Sequence, residues 1–153
     1  VMAVAKALGG GLPIGACLAT ERAAQGMVAG THGSTFGGNP LSTAVGLAVL
    51  EEVTSPEFLK AVEKNGAALR DGLEKLKAKH GNKITEVRGK GLFLGLRCTG
   101  DPGIVIEELR ARGMLTVIAG DNVVRLLPPL IVTEEHIAEA LTKLDEALSA
   151  TSF

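Results

Sequence analysis

The chain has 153 residues, 46% of them hydrophobic and 22% charged, with a formal net charge of −1. That is enough apolar material for a real core, and the absence of a basic block excludes an electrostatic grip on nucleic acid or on an anionic membrane surface. Aromatic residues make up 3%, with no Trp or Tyr, so no stacking platform for bases is expected. No apolar run approaches the roughly 20 residues needed to span a bilayer. Residues 1–5 lack the basic flank and cleavage pattern of a signal peptide. Cys17 and Cys98 do not have the spacing of metal ligands, and two cysteines suggest reduced thiols in a reducing, cytoplasmic compartment. No metal site is expected. The chain opens without a methionine in what reads as a core strand, so it is expected to be the C-terminal part of a longer protein.

Residues 1–6 read as a buried strand ending at Lys6, and 7–13 as a glycine-rich turn. A lysine at the end of a buried strand is desolvated, which disfavours the ammonium form, and a neutral amine attacks carbonyl carbon. The alternative at this point is a strand-end lysine that snorkels to water. Residues 14–20 read as a second strand and 21–27 as a short helix. The stretch from Thr31 to Leu41 joins the hydroxyls of Ser34 and Thr35 to glycines and then to Asn39-Pro40. Exposed N–H groups and hydroxyls before a helix suit a phosphate; the same stretch also reads as a polar turn that caps the helix. Residues 41–53 are apolar nearly all round, which predicts a helix buried on most faces.

Ser55-Pro56 opens a long amphipathic helix over 57–79, with an apolar stripe of Leu59, Val62, Leu69, Leu73 and Leu76. His80 reads as a cation at its negative end. Strands follow at 84–87 and 92–97, joined by a tight turn at 88–91. A helix capped by Asp101 runs to about 112. Strands at 115–118 and 123–127 flank a turn at 119–122. Thr133 caps a last helix with a stripe of Ile137, Leu141, Leu144 and Leu148, and 149–153 reads as frayed. From about residue 55 the order is that of an α+β domain, a small sheet covered by helices. Arg125 stands inside an apolar strand just before Pro128-Pro129. Buried, it needs an anion; otherwise it points to water or pairs with a structural carboxylate.

The stretches Ala5-Lys6-Ala7-Leu8-Gly9-Gly10-Gly11-Leu12-Pro13-Ile14-Gly15-Ala16 and His32-Gly33-Ser34-Thr35-Phe36-Gly37-Gly38-Asn39-Pro40-Leu41 together resemble the class III (ornithine-type) pyridoxal-phosphate aminotransferases. The resemblance runs through the whole chain, including Val87-Arg88-Gly89-Lys90-Gly91-Leu92 and Arg125-Leu126-Leu127-Pro128-Pro129-Leu130. It implies an α/β protein of the fold-type I transferase class. Residues 1–54 would be the end of the large cofactor-binding domain and 55–153 the small C-terminal α+β domain.

By the same resemblance, Lys6 is the catalytic residue and holds pyridoxal 5'-phosphate as a Schiff base. Thr35 binds the cofactor phosphate from the neighbouring subunit of a homodimer with a shared active site. Ser34 lies beside it near substrate, and Arg125 receives the substrate α-carboxylate, which its fork suits. Within the class the resemblance favours members that pass the terminal amino group of N2-acetyl-L-ornithine to 2-oxoglutarate, a step of arginine biosynthesis. Members acting on ornithine, succinylornithine, acetyl-lysine or 4-aminobutyrate are the alternatives, and a non-catalytic binding module is the reading from another class. The family's aspartate for the pyridine nitrogen, its upstream phosphate loop and its stacking aromatic would lie before Val1. The chain is therefore not expected to be active alone.

Overall fold

The computed structural model describes all of residues 1–153. β1 (Met2–Ala5) and β2 (Gly15–Leu18) form an antiparallel ribbon in which Ala5 pairs with Gly15. Between them Lys6–Gly9 make a turn of 3-10 helix, closed by Gly10 in the left-handed conformation. The short α1 (Glu21–Ala24) is capped by Thr20, whose hydroxyl accepts from the Ala23 N–H. α2 (Pro40–Val53) is capped by Asn39, whose side-chain oxygen accepts from the Ser42 N–H at 3.0 Å, with Pro40 in the first turn, where its missing N–H costs nothing.

The chain separates into two compact units, Val1–Leu59 and Lys60–Phe153. The sequence reading set the boundary at 54/55; the division by contact falls inside α3 (Pro56–Lys79). In the second unit β3 (Ile84–Lys90), β4 (Phe93–Cys98), β5 (Val117–Ala119) and β6 (Val123–Leu126) form one antiparallel sheet in the order β3-β4-β6-β5. α3, α4 (Pro102–Ala111) and α5 (Glu134–Ala150) supply Leu69, Leu73, Val105, Leu109, Leu144 and Leu148, which bury against Val87, Leu94, Leu96, Val124 and Leu126 of the sheet. Alternation along the strands puts Arg88, Gly95, Arg97, Val123 and Arg125 on the other face, where the Arg97 side chain is exposed and Val123 is buried. No helix is long and apolar enough to cross a membrane.

Several expectations are corrected. The first strand is not buried: Met2 is 56% exposed and only Val4 is partly covered, because a two-stranded ribbon in this unit has no layer stacked on it. Lys6 is accordingly exposed rather than desolvated. The α2 helix is apolar, as read, yet Leu41, Leu47 and Leu50 are exposed and only Ser42 and Gly46 are buried. Leu59, placed in the α3 stripe, is half-exposed at the boundary between the units. The expected turn at 88–91 is instead strand up to Lys90: Gly89, at φ +119, keeps the ladder running opposite Leu94, and the reversal falls at 91–92. His80, at the end of α3 as read, is not in water. It is buried, with Nε2 2.7 Å from Asp145 Oδ1 of α5. The C-terminus is not frayed: Thr151 is buried, its carbonyl accepts from Lys83 Nζ at 2.7 Å, and Phe153 packs on the core.

Candidate active site

Lys6 carries the most unusual local geometry in the first unit. It follows β1 directly and has φ +59, a left-handed conformation that costs a non-glycine residue about 1–2 kcal/mol. Its amine is exposed and takes part in none of the chain's hydrogen bonds or ion pairs. Such an amine is open to a carbonyl partner.

The loop before α2 supplies hydroxyls. Gly37 packs against Ser34 so closely that a Cβ there would stand 2.9 Å from Ser34 Oγ. The loop can close over Ser34 only because position 37 is bare. Asn39 completes it: its side-chain amide donates to the Phe36 carbonyl at 2.8 Å and to Ser42 Oγ at 3.0 Å. A cleft of about 390 Å³ is lined here by Ile14, His32, Ser34, Phe36, Asn39 and Ser42 among others. It takes in Ser34 but neither Lys6 nor Thr35. The chain therefore does not gather its three candidate residues of the first unit into one cavity.

Arg125 lies on the face of the sheet away from the core of the second unit, opposite Gly95 on β4 and Val117 on β5. Its Nε is buried and has no hydrogen-bond partner, and the guanidinium is in none of the chain's ion pairs. No carboxylate of this chain pairs with it. A buried guanidinium N–H without an acceptor is costly and suits an incoming anion. Arg88, one row partner further along, is committed to Asp121 and the Gly120 carbonyl, each at 3.0 Å. A separate apolar cavity of about 460 Å³, between α5 and the strand end at Leu126, includes none of the candidate residues. The Thr116 hydroxyl on its wall is buried without a partner.

Sequence reasoning missed Asp121, which accepts from both Arg88 and Arg97. It was read only as a turn residue. The signal was a carboxylate in a Gly-Asp-Asn turn beside a sheet with two outward arginines. It also missed Gly37 as the residue that shapes the Ser34 loop.

Residues 1–148 match the family Aminotransferase class-III. The chain belongs to that family. Among class III relatives, the acetylornithine aminotransferase of Rhodobacter capsulatus is 53% identical over 150 residues, covering 98% of this chain and 38% of that protein. The acetylornithine aminotransferase of Brucella melitensis is 49% identical over 152 residues, with 99% and 38% covered. Among solved structures, the N-acetylornithine aminotransferase of Stenotrophomonas maltophilia matches with a TM-score of 0.83 at 38% identity, over 97% of this chain and 39% of that one. The ornithine aminotransferase of Toxoplasma gondii, with partial occupancy of PLP at its active site, matches with a TM-score of 0.86 at 32% identity, over 97% and 36%. The fold is thus the corresponding part of a class III aminotransferase, as the two glycine-rich stretches implied. The chain spans less than two-fifths of the length of these relatives.

Proposed function

We propose that this chain is the lysine- and arginine-bearing part of a pyridoxal-phosphate-dependent acetylornithine transaminase, with residues 1–54 closing its large domain and 55–153 forming its small one. The observation that carries the reading is the backbone of Lys6. A strained left-handed lysine with an uncommitted amine, directly after a strand and before Gly10 and Gly11, supports a covalent attachment point.

The residues present fit the cofactor. The Lys6 amine is free, the Ser34 and Thr35 hydroxyls are engaged in no hydrogen bond of the chain, and the bare Gly37 leaves the loop its shape. Bound pyridoxal phosphate supplies the electron sink for breaking a bond at the substrate's amino-bearing carbon. Lys6 holds the group and then serves as the base that moves the proton from that carbon. Thr35 donates to the phosphate, and Ser34 faces the substrate side. Arg125 offers its unpaired guanidinium to the substrate carboxylate.

A homodimer in which Thr35 serves the neighbouring subunit's site rests on the likeness to class III aminotransferases. The exposed apolar side of α2 supports burial against further protein. Two unpaired thiols support a cytoplasmic setting; the buried Cys98 is an inert one, pushed up to about 11 by burial, and only Cys17 is exposed.

N2-acetyl-L-ornithine is proposed as amino donor and 2-oxoglutarate as acceptor, on the strength of relatives near 50% identity. Turnover of the complete enzyme with acetylornithine, ornithine and 4-aminobutyrate tests the choice. Acetylornithine should give the highest kcat/KM; a higher value for either of the others would replace it. In the same assay Arg125→Ala should raise KM for both carboxylate substrates about 10- to 100-fold, the loss of a charged hydrogen-bond pair.

A further inference from the structure

The ladder register sets four residues in one row across the sheet: Arg88 pairs with Gly95, Gly95 with Arg125, and Arg125 with Val117. Residues opposed in this way share a face. It is the face away from the core, because the alternating residues Val87, Leu94, Leu96, Val124 and Leu126 form that core. Gly95 has no side chain of its own, and Val123 fills the space over it, with Cγ1 2.6 Å from where a Cβ would stand. The stem of Arg88 leans over it: a Cβ built on Gly95 would lie 4.0 Å from Arg88 Cγ. Two guanidiniums therefore stand on the same face, on either side of Gly95, with the Val123 methyl packed over the glycine.

Their commitments differ. Arg88 donates through Nη1 to Asp121 Oδ2 and through Nη2 to the Gly120 carbonyl, both at 3.0 Å. The other oxygen of Asp121 accepts from Arg97 Nη2 at 2.9 Å. Asp121 and Asn122 both sit in the left-handed region, at φ +68 and +55, which makes the tight β5–β6 reversal that brings this carboxylate to the arginines. Arg125 has no such partner.

We propose that Asp121 is a positioning residue. By holding Arg88 it leaves Arg125 as the one guanidinium of the row open to a substrate carboxylate. This deepens the reading of Arg125 as carboxylate receptor and rests on it. Without Asp121, a dicarboxylate would find two competing seats, and the one at Arg88 would draw it away from Arg125. The Arg88–Asp121 pair is half-exposed, at 38% and 52% of the side chains, so its hold is moderate and the effect is several-fold rather than all-or-none.

The test is calorimetric titration of the complete, cofactor-loaded enzyme with glutarate, an unreactive dicarboxylate, at low and high salt, alongside steady-state kinetics. Asp121→Asn keeps the left-handed backbone and removes the charge. It should bind glutarate about three- to tenfold more tightly, with a steeper salt dependence, while kcat falls. Adding Arg88→Ala to Asp121→Asn should return both toward the unsubstituted enzyme; a merely structural Asp121 would leave the double variant as impaired as the single one. Arg88→Ala alone should stay within about twofold in glutarate affinity. Unchanged or weaker binding by Asp121→Asn overturns the proposal. So does an Arg88→Ala loss as large as that of Arg125→Ala, a result that holds even if Asp121→Asn folds poorly. If Arg125→Ala leaves glutarate binding intact, the carboxylate role of Arg125 fails and the proposal with it. If Arg125→Ala abolishes binding and Asp121→Asn changes nothing, the proposal alone fails.

Discussion

The His80–Asp145 contact joins the end of α3 to α5, and Lys79 Nζ reaches the other oxygen of the same carboxylate at 2.6 Å. The hydrogen bond from Lys79, and after it that from His80, hold the Asp145 carboxyl below its ordinary value against the opposing effect of burial. A depressed carboxylate stabilises the fold above its unfolded pKa, and that contribution is lost as pH falls through the folded value. The urea midpoint of the chain should therefore drop on acidification below about pH 4, and Asp145→Asn should flatten the drop. Parallel profiles for the two proteins would remove Asp145 from the account. Gly89 makes a second prediction at this scale. A Cβ on it would come 2.0 Å from the Phe93 carbonyl oxygen, at a φ of +119 that other residues avoid. Gly89→Ala should cost about 3 kcal/mol or more in chemical denaturation; a loss under about 1 kcal/mol would mean that the hairpin shifts freely.

Among the elements, the caps were the most legible part of the sequence, because their chemistry is local. Asn39, Asp101 and Thr133 each accept from a backbone N–H in the first turn of their helices. At α5 the cap is reciprocal: Thr133 Oγ1 accepts from the His136 N–H, and the Thr133 N–H donates to His136 Nδ1, both at 3.3 Å. Thr133→Ala should cost about 1 kcal/mol in the urea midpoint, and no change would show that α5 is fixed by packing alone. Strand ends were less legible. The sequence 88–91 carries two glycines and reads as a turn, but the ladder opposite β4 continues through Gly89 to Lys90. Pairing across strands is non-local and leaves no mark in a single segment. The partner of His80 was not legible for the same reason, since it lies 65 residues away.

At the scale of the whole molecule, family and fold were readable from two glycine-rich stretches, because backbone that turns sharply beside a ligand restricts residue type strongly. The burial of the first unit was not. β1 and α2 have core composition, yet Met2, Leu41, Leu47 and Leu50 are exposed. Composition records what a segment is covered by in the complete protein, and this chain spans less than two-fifths of its relatives. Leu47→Glu should therefore reduce self-association of the isolated chain at unchanged urea midpoint, and lower the Tm of the complete enzyme. An unchanged Tm would mean that this side of α2 remains in water there.

Lys6 is the residue on which the proposed chemistry depends. Borohydride reduction of the complete enzyme with pyridoxal phosphate, followed by digestion and mass mapping, reads its role directly. A stoichiometric adduct on the Lys6 peptide is predicted, and Lys6→Ala should abolish it together with transamination while the fold persists. An adduct scattered over exposed lysines such as Lys60 and Lys75, or none at all, would contradict the covalent role and leave Lys6 a strained strand-end residue without chemistry.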